Sequence, residues 1–172
     1  MNHQASVYGM NDVTHLGFFD IPMLTSIPNL VYLAPTNNEE LLAMTEYAVH
    51  QHEHPVAIRV PVGKFISTGV ADTTDYSVLN KFEVTREGKD IVLLGLGNFY
   101  HLANEVADEL LKEGISATVV NPKFASGIDE ELLESLKANH SVVFTLEDGV
   151  VEGGWGQRVA SFYGPSNMRV KN

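Results

Sequence analysis

The stretch Ile91-Val92-Leu93-Leu94-Gly95-Leu96-Gly97 is a continuous apolar run that ends in glycine. Such a run predicts a strand that is buried on both faces of a parallel sheet. Residues 100–113 follow with apolar side chains at helical spacing, and Gly114 is placed to end the helix. The apolar face of this helix consists of Leu102, Val106, Leu110 and Leu111. A second strand candidate, residues 117–120, completes a strand-helix-strand unit, which is typical of a parallel sheet.

The same alternation continues in both directions along the chain. Further strands are predicted at residues 5–9, 30–34, 55–61, 82–85, 141–146 and 168–171, and further helices at 17–27, 38–53, 129–137 and 157–163. Residues 64–80 are rich in Ser, Thr, Gly and Asp and keep no period, so they are interpreted as a linker. The prediction is an α/β protein with a unit at 1–63, a linker at 64–80 and a second unit at 81–172.

The amino-acid composition limits the classes of molecule that this protein could bind and the compartment in which we expect it. The 172 residues include 22 acids against 11 basic residues, and the formal net charge of −11 argues against nucleic acid or an anionic membrane as a partner. Cysteine is absent, which excludes disulfides and thiolate chemistry. No apolar run is long enough to span a bilayer and no signal peptide is evident, so we expect a cytoplasmic protein.

The segment from Asn11 to Asp20 carries the strongest chemical signal, because a histidine lies between acids and next to a glycine. One interpretation is a loop that delivers the His15 imidazole and a carboxylate such as Asp12 to a pocket. The other is a plain helix start, with Thr14 as N-cap and Asp20 in solvent.

Arg59 lies within an apolar strand candidate, where an unpaired guanidinium is costly to bury. It either pairs with an acid at the end of the strand or reaches into a cleft and binds an anion such as phosphate. In parallel sheets ligands bind beyond the carboxyl ends of the strands, so one cleft could hold both Arg59 and the His15 segment.

Three other patterns have simpler explanations. The spacing of His50, His52 and His54 could indicate a metal site, but a polar helix end explains it better. Gly95-Leu96-Gly97 lacks the third glycine of a dinucleotide fingerprint. The acids of Glu147-Asp148-Gly149 could face an adjacent domain or a cofactor, although a tight structural turn is the simpler interpretation.

Taken together and in order, several motifs resemble the thiamine-diphosphate-dependent transketolase family, and within it the 1-deoxy-D-xylulose-5-phosphate synthases. In the first unit these are DVTHLGFFD at 12–20, IPNLVYLAP at 27–35 and AIRVPVG at 57–63. In the second unit they are GLG at 95–97, LLKEGISATVVN at 110–121 and TLEDGVVEGGWG at 145–156. The resemblance implies the second half of a pyrimidine-binding domain, followed by a three-layer C-terminal domain of the transketolase type.

The resemblance also implies an activity and site residues. The family joins pyruvate, after its decarboxylation on thiamine diphosphate, to glyceraldehyde 3-phosphate. His15 would then be catalytic and contact the substrate together with Asp12, and Arg59 would bind the phosphate of the aldehyde. The sequence departs from the family pattern at Asn11, Val62 and Gly127, which predicts a divergent member.

The family's motif for magnesium and diphosphate lies in an N-terminal domain that has no counterpart in this sequence. We therefore expect thiamine diphosphate and magnesium only in a complete enzyme, with none bound to this chain alone, and an isolated chain without activity. The expected partners are the missing N-terminal domain or chain, a second copy in a homodimer and a small phosphorylated sugar. The alternatives are a β subunit of a 2-oxo acid dehydrogenase and a non-catalytic dimerisation or regulatory module.

Overall fold

The computed structural model describes residues 2–5, 17–61 and 66–172. The first unit contains a three-stranded parallel sheet in the order β1-β3-β2. Its elements are β1 (Asn2–Ala5), α1 (Asp20–Leu24), β2 (Val31–Leu33), α2 (Asn38–His50) and β3 (Val56–Pro61). The predicted strand at 5–9 lies mostly outside the described residues. Strand β3, which contains Arg59, is the central strand, so Arg59 is placed between two neighbours.

The second unit is a five-stranded sheet in the order β4-β6-β5-β7-β8, in which β4 alone is antiparallel. Its elements are β4 (Glu83–Arg86), β5 (Ile91–Gly95), α3 (Phe99–Lys112), β6 (Ala117–Asn121), α4 (Glu130–Leu136), β7 (Val142–Leu146), α5 (Trp155–Tyr163) and β8 (Arg169–Lys171). Leu93 and Val119 pack towards α3, whereas Val92 and Val120 share a cluster with residues of α4 and α5. The predicted α/β fold with helices on both faces of a mainly parallel sheet is confirmed.

The helix ends follow the signals in the sequence. Asn37 caps α2 by accepting a bond from the Glu40 amide at 2.8 Å, and Gly114 has the positive φ of +80° that a helix C-terminus favours. The predicted apolar face of α3 was partly wrong, because Leu102 and Leu111 are 42% and 53% exposed. Two alanines, 103 and 107, are fully buried there instead, since small side chains allow the helix to approach the sheet closely.

The predicted linker packs between the two units. The described part, residues 66–80, forms no helix or strand, yet Tyr76 is only 2% exposed and its ring lies 6.0 Å from that of Phe124. The first unit also bonds directly to the second, since the Ala125 amide donates to the Tyr32 carbonyl at 2.7 Å. Two apolar clusters each contain buried residues from both units, so the units share their core. In the described part of the chain, no helix has the length and hydropathy needed to cross a membrane.

Candidate functional site

The predicted catalytic segment is described only at its end. Asp12 and His15 lie outside the described residues, so their predicted roles stay predictions. The description resumes at Gly17, which is buried, and Asp20 then begins α1. The structure describes a buried polar cluster at this point. In it, Gly17 and Asp20 bond to Arg59 of β3, which also bonds to Asp148 in the turn after β7.

Arg59 is the centre of this cluster and is only 2% exposed. Its Nε donates to Asp20 at 2.6 Å, and its Nη1 donates to the Asp148 carboxylate. Its Nη2 donates to the carbonyl oxygens of Gly17 at 3.2 Å and Asp148 at 2.9 Å. All three nitrogen atoms of the guanidinium are therefore engaged by oxygen atoms of the protein.

Asp20 is buried, at 2% exposure, although it begins a helix. Its Oδ2 accepts bonds from Arg59 Nε and from the Tyr32 hydroxyl, both at 2.6 Å, and Oδ1 accepts from Arg59 Nη2 at 3.2 Å. The helix-start interpretation, which placed Asp20 in solvent, was wrong in that respect. The physical reason is that Arg59 and Tyr32 supply donors that compensate the carboxylate for its lost water.

Asp148 reaches the cluster from the second unit, beyond the carboxyl end of β7. Its side chain is 8% exposed, and Oδ2 has no hydrogen-bond partner among the residues that the structure describes. The neighbouring Glu147 caps α5 instead, accepting from the amides of Trp155 at 3.0 Å and Gly156 at 2.6 Å. Of the two interpretations of this turn, Asp148 fits an acid that faces the adjacent unit, and Glu147 fits a structural turn.

The electrostatics of the cluster are dominated by burial and by these pairs. Burial acts to lower the pKa of Arg59, but its bond to Asp20 and the charge of Asp148 outweigh burial and raise that pKa. Burial, together with the negative charge of Asp20, raises the pKa of the Tyr32 hydroxyl, which therefore stays a donor. Among the described residues, the carboxylates of Asp20 and Asp148 thus lie against one guanidinium, that of Arg59.

The structure thus places Arg59 in the ion pair that the sequence allowed as one of its two alternatives. Binding of a substrate phosphate by Arg59 stays a prediction. Asp20 and Asp148 were not among the predicted site residues. The acidic Glu147-Asp148 turn was the signal for Asp148, but its partner, 89 residues away, could not be identified from spacing.

A second buried polar cluster joins the units at α2 and β6. Glu40 is 5% exposed and accepts bonds from the Thr36 amide at 2.7 Å and from Asn121 Nδ2 at 2.7 Å. Lys123 is 4% exposed, and its Nζ lies 2.8 Å from the Glu83 carboxylate. Burial raises the pKa of Glu40, against the lowering effect of the bonds from Thr36 and of the charge of Lys123. The polar side chains of this cluster pair with one another across the two units, and they therefore contribute to the packing of the units.

The histidines of the α2 end fit the helix-end interpretation. His50 is exposed, and its Nδ1 lies 2.9 Å from the carbonyl oxygen of Glu46. Within residues 17–61 and 66–172, no group of three His, Asp or Glu side chains is arranged to hold a metal ion.

The curated proteins most similar to this chain include several 1-deoxy-D-xylulose-5-phosphate synthases. The chain is 36% identical to a 1-deoxy-D-xylulose-5-phosphate synthase of Acaryochloris marina over 157 residues, which is 91% of this chain and 25% of that protein. It is 38% identical over 156 residues to the synthase of Acidobacterium capsulatum, with 91% and 25% covered. The chain thus spans about a quarter of the length of the curated relatives it matches.

A solved structure and a family model agree with these relatives. The structure is described as "Split gene transketolase, inactive beta4 tetramer"; it matches 98% of this chain and 53% of its own, with 27% identity and a TM-score of 0.79. The family model of the transketolase C-terminal domain matches residues 80–169, more than half of the chain. This span contains β5, α3 and β6, the unit from which the fold was predicted, and also Asp148. The chain therefore belongs to the transketolase C-terminal domain family.

Proposed function

We propose that this chain supplies the C-terminal part of a thiamine-diphosphate-dependent transferase of the 1-deoxy-D-xylulose-5-phosphate synthase type. The reaction would join pyruvate, after decarboxylation, to glyceraldehyde 3-phosphate. The observation that carries the proposal is identity of 36–38% to such synthases over 91% of the chain. The match includes both units and is thus broader than a shared C-terminal domain.

The complete enzyme would consist of this chain and a further part that the chain does not contain. The diphosphate and magnesium would be held by that other part, because the resemblance places the family's motif for them in the N-terminal domain. When bound there, thiamine diphosphate supplies the carbanion chemistry. The contribution of this chain would be His15, in contact with the substrate or transferring a proton, and Asp12 beside it.

Arg59 would support this site through the backbone. Its bond to the Gly17 carbonyl, at 3.2 Å, holds a residue only two positions after His15. The bonds to Asp20 and Asp148 fix the guanidinium itself, so the second unit helps to position the His15 segment. A side chain locked in this way is a means of holding a catalytic group within the narrow range of productive geometries. The direct contact of Arg59 with the phosphate of the substrate, implied by the resemblance, is a separate proposal.

A chimeric enzyme tests the proposed function. This chain would replace the matching quarter of the Acaryochloris marina synthase, and formation of 1-deoxy-D-xylulose 5-phosphate would be measured with thiamine diphosphate and magnesium. We expect activity in the chimera and a loss of about 100-fold or more in kcat on His15→Ala, the scale of a lost acid–base group. A folded chimera without activity would contradict the proposal, as would full activity in the His15→Ala variant.

A binding experiment tests whether the cofactor is held by the other part of the enzyme. We expect calorimetric titration of the isolated chain with thiamine diphosphate and magnesium to show no binding, and the isolated chain to form no product. Micromolar binding would show that the chain holds the cofactor itself. The neighbour supports the expectation, because a tetramer whose chain includes a region similar to this one is described as inactive.

A further inference from the structure

A groove of about 650 Å³ lies between α1 of the first unit and α5 of the second. Pockets that bind small molecules usually have volumes of about 300–1,000 Å³, so the groove is large enough for one. We call it the α5 groove, and the residues that line it include Thr25, Ile128, Gln157, Arg158, Ser161 and Phe162. None of these residues belongs to the Arg59 cluster, so the groove is a second candidate site.

Arg158 supplies a positive charge to the α5 groove and is half-buried. Its Nη1 donates to the carbonyl oxygen of Ser126, which holds the guanidinium in place. Within the described ranges Arg158 forms no ion pair, whereas Arg59 and Arg86 each pair with an aspartate. Burial lowers the pKa of Arg158, and the charge of Glu147 opposes this only in part. A guanidinium has five N–H groups, so one that bonds to a single carbonyl can still bind an anion.

Two uncharged residues of α5 can donate beside Arg158. The Oε1 atom of Gln157 accepts a bond from the Gly153 amide at 2.6 Å, so the NH2 group is the end of this side chain that remains. Ser161 lies three positions after Arg158, on the same side of the helix, and also lines the groove. The Thr25 hydroxyl, across the groove, donates to a backbone carbonyl of α1 at 2.6 Å. The oxygen atoms of an anion would therefore bind on the α5 side.

The α5 groove suits a single carboxylate on an apolar body better than a phosphate ester. Ile128 and Phe162 give the groove an apolar wall. One guanidinium matches one carboxylate in a bidentate pair. Glu130 also lines the groove and the net charge of the chain is −11, so the second negative charge of a phosphate ester would be repelled.

We propose that the α5 groove binds a small organic carboxylate with an apolar body. Arg158, Gln157 and Ser161 hold the carboxylate, and the apolar body packs on Ile128 and Phe162. The inference is independent of the proposed function, since binding is measured without substrate, thiamine diphosphate or magnesium. A failed chimera assay would therefore leave it standing, and an empty α5 groove would leave the proposed activity standing.

NMR titration of the isotope-labelled full chain with benzoate measures this binding. The signals to follow are the backbone amides of Gln157 and Ser161 and the Nε–H group of Arg158. Benzoate carries one carboxylate on an apolar ring, and we expect a Kd of about 1–10 mM, which is ordinary for so small a ligand. Benzamide has a similar shape without the charge and should bind about 10-fold more weakly or less tightly still. Phenyl phosphate should bind no more tightly than benzoate.

Ser161→Asp tests the position of the site, because it places a carboxylate one helical turn from Arg158, where the two side chains pair and exclude the ligand. The Kd for benzoate should rise by about 10-fold or more. The matched control is Ser135→Asp on α4, where the serine is also exposed and helical but lies outside the α5 groove. It adds the same charge and should change Kd by less than about 2-fold, since distant exposed charges are screened. Arg158→Met should also weaken binding by about 10-fold or more, with circular dichroism to check its fold.

Each contrary outcome overturns the proposal. Signals that do not shift at about 50 mM benzoate would show that the α5 groove does not bind a carboxylate. Equal affinity for benzamide would mean that the groove recognises the ring alone, and tighter binding of phenyl phosphate would assign the site to a phosphate. A loss of affinity in Ser135→Asp as large as in Ser161→Asp would attribute the effect to net charge.

Discussion

Replacing Arg59 by methionine removes a guanidinium that two buried carboxylates share. The side chains of Asp20 and Asp148 are 0% and 8% exposed, so water cannot take over the role of the guanidinium. Removal of one partner from a buried ion pair costs about 3–5 kcal/mol. Methionine fills a similar length of apolar space, so most of this cost reflects the loss of the guanidinium from the two carboxylates. Since a whole domain is stable by only about 5–15 kcal/mol, the variant should be close to the limit of folding.

Urea unfolding measures this cost through the fluorescence of Trp155, the single tryptophan, which is fully buried. With a slope of about 2 kcal/mol per molar urea, the midpoint should fall by about 1.5–2.5 M. The matched control is Arg169→Met in strand β8, where the arginine is exposed and has no ion pair within the described residues. That change should alter stability by less than about 0.5 kcal/mol. All variants are compared at one protein concentration.

A double-mutant cycle separates the ion pair from general packing. Arg59→Met combined with Asp148→Asn should cost less than the sum of the two single changes, by about 1 kcal/mol or more, because the second change removes one of the unpaired charges. The reasoning is refuted if Arg59→Met costs no more than Arg169→Met. Additive costs in the cycle would also refute it, since they would mean that Arg59 and Asp148 do not act on each other.

Gly156→Ala should destabilise the chain by about 1–3 kcal/mol in urea, because its new methyl group would overlap a threonine hydroxyl, whereas Gly164→Ala has room and should be neutral. Asp129→Ala should cost about 1–2 kcal/mol by the same measurement, because it removes the side chain that caps α4. The Ser67 hydroxyl, followed by backbone amides, lowers the pKa of Glu39 to about 2. The stabilising effect of this pairing is present above the ordinary pKa of glutamate and is lost as the pH falls towards 2. In Ser67→Ala the carboxyl carbon of Glu39, observed by NMR, should titrate at a higher pH; an unchanged titration would contradict the pairing.

Local signals in the sequence were sufficient for most elements of the fold, although β1 lies at residues 2–5 and so begins before the strand that was predicted at 5–9. The apolar run at β5, the cap at Asn37 and the glycine at 114 each act within a few residues, so each could be predicted without knowledge of the rest of the chain. The side of α3 that is buried could not be predicted in the same way. Leucines are the stronger apolar signal, but the spacing between helix and sheet, a property of the whole layer, placed Ala103 and Ala107 inside.

The contacts of the candidate site were even harder to predict from local signals than the buried side of α3. That Arg59 needs a partner follows from its apolar neighbours alone, but which partner it finds depends on β7 ending beside β3, across two sheets. Asp20, the last residue of the segment Asn11–Asp20, proved to be one partner, and Asp148 the other. Long-range pairing of this kind is decided by tertiary packing, which spacing along the chain does not encode.

The arrangement of the cluster explains why both units would be needed for one site. Gly17 lies two positions after His15, and its carbonyl accepts a bond from the Arg59 guanidinium. That guanidinium also donates to Asp148 of the second unit. A first unit without the second would leave Arg59 with its bonds to Asp20 and Gly17 but without the two bonds to Asp148 that hold the guanidinium from the other side. The C-terminal domain would then serve the reaction without touching the substrate, by fixing the geometry of the segment in front of α1. Asp148→Asn in the chimeric enzyme should therefore lower kcat more than it raises KM, whereas loss of a direct substrate contact would raise KM first.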